Sequence, residues 1–210
     1  MTTSDEDFSV VGTEDIYSGY AFDVRVDQVR MPDGTVARRD VIDHVGAVGV
    51  VALDDDGTVV MVRQYRPAVG THLLELPAGL LDQAGEPALA SAQRELLEEA
   101  AITAERWHTL VDLHTSPGMS DEAIRVYLAR GLAPVPEEDR YAGEHEERTM
   151  EVHRYQLEEL VELVLAGAVT NGPAVAGILA AAAARRDDWA SLRPADAAWP
   201  ARPDRVPDHQ

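Results

Sequence analysis

No cysteine occurs in the 210 residues, so disulfides, thiolate metal sites and cysteine nucleophiles are excluded from any account of this protein. Basic residues are scarce: 18 Lys and Arg stand against 38 Asp and Glu, a formal charge of -20. Such a field repels phosphate backbones and anionic lipid headgroups, so neither nucleic acid nor a membrane is an expected partner. An anionic small molecule meets the same repulsion, and a site for one needs local cations, either arginines or bound metal ions. Long apolar runs are missing too. Nothing approaches the roughly 18 apolar residues of a membrane helix, and the Ala-rich run near Leu179 is broken by Arg185 and Arg186, so it reads as a buried helix. Met1 to Asp7 are polar and acidic and lack the basic start and apolar run of a signal peptide. A cytoplasmic protein is expected. What is present is 45% hydrophobic residues, enough for one substantial core at a domain size of roughly 100 to 200 residues.

From Phe8 to His44 short β-prone pieces follow one another, broken by the turn signal Pro32-Asp33-Gly34. They predict a small N-terminal antiparallel β meander over residues 1–45. Ala47 to Leu53 is an apolar run, Asp54-Asp-Asp-Gly57 a hairpin turn and Val59 to Tyr65 a further strand. Between Glu86 and Ile102 the period changes: Leu89, Ala92, Leu96 and Ala100 recur at helical spacing with charges on the other face. Pro87 suits the first turn of that helix. Strand-like pieces resume at Trp107 to Leu113, Ala123 to Ala129 and Glu151 to Tyr155, the last two separated by a Pro-, Glu- and Asp-rich loop, Ala133 to Arg148. Two helices close the main domain of residues 46–190: Leu157 to Ala166, and Pro173 to about Arg185, announced by Asn171-Gly172-Pro173. Residues 191–210 read as a C-terminal tail, rich in Pro, Asp and Arg, that either frays or lies along a partner. Strands and helices mixed without strict βαβ alternation predict an α/β (α+β) fold, an α/β/α sandwich.

Chemistry concentrates between Leu76 and Ile102. Four carboxylates, Glu86, Glu95, Glu98 and Glu99, crowd one loop and one helix. Glu95 and Glu99 are i,i+4 neighbours and Glu98 is i,i+3 from Glu95, so the three project within one sector. Like charges stacked in that way repel, a cost that matters in a domain of only marginal stability. A hard divalent cation with oxygen ligands removes it, and magnesium favours few carboxylates together with waters and substrate phosphates. Arg94 stands beside them, able to pair with Glu98 across one turn. A solvated acidic helix face is the plain alternative for any Glu-Glu pair on a helix.

The loop before the helix decides between the two. Gly79, Glu86, Arg94, Glu95, Leu96, Glu98, Glu99 and Ile102 resemble the Nudix box, G-x5-E-x7-R-E-U-x-E-E-x-G-U with U aliphatic, in the strand, loop and helix context that the motif requires. Two positions depart. Six residues rather than five separate Gly79 from Glu86, and Ala101 stands at the place of the second glycine. The insertion falls in a loop, where extra length is inexpensive; the alanine needs an allowed backbone there, which a positive φ would strain. The resemblance implies the Nudix sandwich and hydrolysis of a nucleoside diphosphate joined to another moiety, by water attack on phosphorus. It implies Glu95 and Glu99 as principal metal ligands, Glu98 as a further one and the Ala78 carbonyl as another. The expected ion is magnesium (Mg2+), with manganese (Mn2+) the alternative. Glu86 either orients the loop or contacts outer-shell water.

Three further features resemble the ADP-ribose pyrophosphatases within that family. Gln64-Tyr65-Arg66-Pro67 matches a Gln-aromatic-Arg carried there; Arg66 either supplies the positive charge for a diphosphate or forms a structural salt bridge, with Glu75 as the partner. Pro117 falls 16 residues beyond Ala101, within Ser116-Pro-Gly-Met-Ser-Asp-Glu122, where the family associates a proline with ADP-ribose; Pro117, Gly118 and Met119 are therefore substrate-binding candidates. Gly143-Glu-His-Glu-Glu-Arg148 occupies the place of a loop carrying the proposed general base, for which Glu147 is the first choice, Glu146 the second and His145 a third. A base away from the metal helix makes chemical sense, since a carboxylate bound to metal accepts protons poorly. A solvated acidic loop is the competing reading. The resemblance further implies a homodimer in which the N-terminal strands reach the partner's site, making Tyr20, Phe22 and Arg25 candidates for adenine or ribose contacts. ADP-ribose or a similar nucleotide sugar is the expected substrate, with a non-catalytic ADP-ribose-binding module as the reading from a different class.

Overall fold

The described part of the computed structural model comprises residues 8–139 and 150–202. Its first three strands, β1 (Ser9–Ser18), β2 (Phe22–Arg30) and β3 (Val36–His44), pair antiparallel in that order and form a sheet of their own. The turn between β2 and β3 is made by the residues the sequence marks: Gly34 takes φ +84°, and the Asp33 carboxylate accepts from the amide and hydroxyl of Thr35 at 2.9 and 2.6 Å, an Asx turn that satisfies the chain reversal locally.

The main sheet is mixed, in the order β10-β5-β4-β9-β8-β11 with β6 hydrogen-bonded to β5 and β7 to β4. Its members are β4 (Ala47–Leu53), β5 (Thr58–Arg66), β6 (Thr71–Glu75), β7 (Ala78–Leu80), β8 (Ile102–His114), β9 (Ala123–Pro134), β10 (Glu151–Gln156) and β11 (Arg193–Pro194). β4 is buried along its whole length and runs parallel to β9, which is why it reads as a continuous apolar run and not as an alternation. Its side chains divide between two cores. Val48, Val50 and Ala52 join Ala92 and Leu96 of helix α1 (Ala88–Ala100), together with Tyr127. Val51 and Leu53 join Leu157 and Leu160 of α2 (Leu157–Leu165), and Ile178 and Ala181 of α3 (Gly172–Arg186). Helices thus cover both faces, the α/β/α sandwich expected from the pattern.

α3 starts as the sequence announces. The Asn171 side chain accepts from the Ala174 amide at 3.0 Å and Pro173 sits in the first turn. Its small residues let it lie close to the sheet: a Cβ on Gly177 would stand 2.8 Å from Leu76 and 3.0 Å from Val51. None of the described helices is long and apolar enough to cross a membrane.

The C-terminal segment differs from the expectation of a frayed or partner-bound tail as far as residue 202. β11 pairs with β8, placing Arg193 opposite Thr109 and Pro194 opposite His108, and Trp199 packs on the α1-side core. Composition misleads here because one tryptophan and one buried arginine of the sheet, Arg125, hold what Pro and Asp would otherwise leave loose.

Candidate active site

β7 and α1 set the geometry of the acidic cluster. β7 pairs with β4, Gly79 opposite Val48, and brings its backbone against the helix. At Gly79 no side chain could be accommodated: an added Cβ would fall 2.1 Å from the carboxyl carbon and Oε1 of Glu95. The glycine is therefore the seat of the Glu95 carboxylate, which is only 9% exposed. Burial raises the Glu95 carboxyl above its ordinary pKa; the neighbouring Arg94 opposes this, while Glu98 and Asp82 add to it.

Arg94 gathers three of the four carboxylates. Its Nη1 donates to Glu95 at 2.6 Å and to Glu98 at 3.0 Å, the second being the expected one-turn pair. Nε and Nη2 donate to Glu86 at 3.3 and 3.2 Å. Ser91 Oγ also donates to Glu86 at 2.5 Å, so Glu86 is tied to the helix N-terminus, and the Arg94 hydrogen bonds hold its carboxyl below the usual range. Of the two readings of Glu86, the orienting contacts are present. Glu99 accepts from the Ala78 amide at 2.9 Å, which places Glu99 beside the backbone whose carbonyl the resemblance singles out.

Among the described residues no three acidic or histidine side chains converge on one point; the carboxylates are spread along Arg94 and toward the Ala78 amide. The donor chemistry nevertheless fits a hard divalent cation. All donors are oxygens on one helix sector and one strand, and the buried Glu95, crowded by Glu98, gains more from a counter-charge than from water.

Arg66, at the end of β5, forms a two-pronged pair with Glu75: Nε to Oε1 at 2.9 Å and Nη2 to Oε2 at 2.7 Å. Glu75 is 3% exposed, whereas the Arg66 side chain keeps 44% of its surface in solvent. The salt bridge is thus present, and it holds the half-exposed guanidinium at the strand end.

Pro117, Gly118 and Met119 lie exposed in the loop between β8 and β9. That loop is tied to the N-terminal sheet. The Ile42 amide donates to the Met119 carbonyl at 2.8 Å, the Asp121 amide to Ile42 at 3.2 Å, and the Asp121 carboxylate accepts from the His44 amide at 2.8 Å. Tyr20 reaches the loop before α1, where its hydroxyl donates to Asp82. Phe22 packs on Tyr17 with ring centres 6.0 Å apart, and Arg25 is held by Asp27 and Asp43. Glu146, Glu147 and His145 lie outside the described residues. The sequence reading did not pick out Asp82, although it belongs to the lengthened box loop, nor Asp121, whose signal is an acidic residue beside the Pro-Gly turn.

A NUDIX domain model matches residues 43–176. The chain is 46% identical over 200 residues to an ADP-ribose pyrophosphatase of Mycobacterium tuberculosis, covering 95% of each protein. It is 38% identical to an ADP-ribose pyrophosphatase of Bacillus subtilis over 73% of this chain and 81% of that one. A solved structure described as an ADP compounds hydrolase superposes with a TM-score of 0.74 at 18% identity, covering 89% of this chain and 98% of its own, a likeness of fold. With Glu95 seated on Gly79, Glu98 and Glu99 on the same helix and the domain match spanning that helix, the chain belongs to the Nudix family.

Proposed function

We propose that this protein is a Nudix hydrolase that cleaves the diphosphate of ADP-ribose, giving AMP and ribose 5-phosphate. The observation that carries the reading is the buried Glu95 carboxylate seated on Gly79 with Glu98 and Glu99 on the same helix. The similarity to ADP-ribose pyrophosphatases over nearly the whole chain gives the substrate class. Glu95, Glu98, Glu99 and the Ala78 carbonyl would hold the divalent cation, magnesium or manganese. When bound, that ion neutralises diphosphate charge and lowers the pKa of water, which a protein of charge -20 needs more than most.

The chain's own residues do the rest. Arg94 fixes the carboxylate rotamers through its hydrogen bonds to Glu86, Glu95 and Glu98. Arg66, oriented by Glu75 and half exposed at the strand end, supplies positive charge to the diphosphate oxygens. Pro117, Gly118 and Met119 border the ribose phosphate half. Glu147, with Glu146 as the alternative, takes the proton from the attacking water as the oxygen bonds to phosphorus and the bridging P–O bond breaks. The molecule acts as a homodimer through its N-terminal sheet, in the cytoplasm, and neither nucleic acid nor membrane takes part.

The experiment is product analysis after incubation with ADP-ribose and magnesium, with ADP-glucose in parallel. AMP and ribose 5-phosphate in equal amounts are expected; faster turnover of ADP-glucose overturns the substrate assignment in favour of another nucleotide sugar. Glu147→Gln then isolates the base: kcat should drop by roughly 10² to 10⁴, the usual range for a positioned base, with metal affinity unchanged. Loss in Glu146→Gln instead shifts the role by one residue, and no loss in either removes the acidic loop from the chemistry.

A further inference from the structure

Arg125 is 3% exposed in the middle of the main sheet, a place where a guanidinium is tolerated only if its donors are met. They are met from two directions. Nε and Nη2 grip Asp112 of the neighbouring β8 at 2.7 and 3.0 Å. Nη1 and Nη2 donate to the carbonyls of Ala197 and Ala198 at 2.6 and 3.0 Å, and the guanidinium lies 4.8 Å from the ring centre of Trp199. Arg193 closes the arrangement from the tail side, donating to Asp112 at 2.8 Å, and Thr109 Oγ1 donates to the Ala195 carbonyl at 3.3 Å. A single buried pair thus fastens the C-terminal segment to two adjacent strands.

Its position along those strands gives it a use. Asp112 lies two residues before the end of β8 and Arg125 two residues after the start of β9, directly opposite each other. Between them runs the loop that carries Pro117, Gly118 and Met119. Above, that loop is tied to Ile42 and His44; its own closure rests on the Met119 and Ser120 amides, both bonded to the Ser116 carbonyl at 3.0 and 2.9 Å. Below, its end residues Thr115 and Glu122 are hydrogen-bonded to each other, and the Asp112–Arg125 pair anchors the two strands beneath them, past Leu113–Ile124 and His114–Ala123. Arg125 also stands in register with Val48, which is in register with Gly79, so the same row of the sheet runs from the seat of Glu95 to the base of the loop.

We propose that Arg125, Asp112 and the segment Arg193 to Trp199 form a clasp that positions the loop of residues 115–122 for substrate, Arg125 being the positioning residue. The proposal rests on the reading of that loop as part of the ADP-ribose site. A clasp of this kind sets how well the loop is pre-ordered before binding, so its loss raises the Michaelis constant and leaves the chemical step largely intact.

The test uses the full-length protein and the variants Arg125→Met, Arg125→Lys and Arg193→Gln. Amide hydrogen exchange at Met119 and Ser120 is measured beside steady-state kinetics on ADP-ribose. Arg125→Met is expected to speed exchange at both amides and raise KM about tenfold, with kcat within about twofold. Arg125→Lys, which keeps the charge but loses the fork, should fall between it and wild type, as should Arg193→Gln, and these two decide the matter if Arg125→Met does not fold. A lower melting temperature with unchanged exchange and unchanged KM overturns the proposal and leaves the pair a purely structural fastening. If wild type does not turn over ADP-ribose, the substrate reading fails, while the exchange data still decide whether the clasp orders the loop.

Discussion

Charge at Glu95 is costly, since a carboxylate with so little surface in water loses most of its hydration, and the protein meets the cost with Arg94 on one side and, in the proposed enzyme, a divalent cation on the other. One substitution tests the cation's part. In Glu99→Gln the amide is a far weaker ligand for a hard cation, so turnover should fall by orders of magnitude while the fold persists. Thermal melting gives a readout apart from activity. Saturating magnesium stabilises whatever it binds, by about 2.7 kcal/mol at 100 times its Kd, and this gain should shrink in Glu99→Gln. Wild-type turnover and an undiminished magnesium shift in that variant would remove Glu99 from the site. Arg66 poses the same question for substrate. Because it satisfies a carboxylate that is 3% exposed, Arg66→Ala should destabilise the fold by about 1 to 3 kcal/mol through the stranded Glu75 acceptor, and it should also raise KM if the guanidinium meets the diphosphate. Loss of stability with unchanged KM assigns Arg66 to the salt bridge alone.

Among the elements, α1 ends on a strained residue. Ala101 takes φ 52° and ψ 45° at the helix C-cap, its amide bonded to the Leu97 carbonyl at 2.9 Å. An L side chain in that region costs roughly 1 to 2 kcal/mol, and glycine gives back part of the gain through the freedom of its unfolded chain. Ala101→Gly should therefore raise the melting temperature by a few degrees, a net gain of about 0.5 to 1 kcal/mol, whereas Ala90→Gly inside the same helix should lower it. A lower melting temperature for Ala101→Gly would show that the left-handed cap is not strained. This element was legible in the sequence because period, charge and motif coincide there, and even its anomaly could be located in advance. Other parts were not. β6 contains the adjacent pair Leu73 and Leu74 and no clear alternation, so pairing with β5 decides it, not local pattern. Arg125 reads as an unremarkable charge in a strand, because its partner Asp112 is separated by a loop and its other partners are backbone carbonyls of the distant tail, which no side-chain pattern announces. The carboxylates of the box could be named from spacing, but Arg94 holding three of them, and Tyr20 reaching Asp82, depend on how the loop folds back.

For the whole molecule the deciding feature is the N-terminal sheet. Eight of the fourteen large apolar side chains exposed among the described residues fall within residues 8–44: Phe8, Val10, Val11, Ile16, Tyr17, Tyr20, Phe22 and Val36. That much apolar surface in water is what an interface would cover. A second copy of the chain is the occupant that the proposed homodimer assigns to it. Sedimentation of wild type should therefore give a dimer at micromolar concentration, and Val10→Asp combined with Ile16→Asp should give a folded monomer. Salt separates an apolar interface from an ionic one. Two copies bring together formal charges of -20 each, a repulsion that counterions screen over about 10 Å at 0.1 M, while apolar burial is indifferent to such screening. Dimerisation should accordingly tighten as sodium chloride is raised from low to moderate concentration; loosening would mean that ion pairs hold the copies together. Since Tyr20 and Ile42 link this sheet to the loops at Asp82 and Met119, the monomeric variant should also lose affinity for ADP-ribose. A wild-type monomer with full activity would detach the sheet from the site and leave its apolar surface to some other partner.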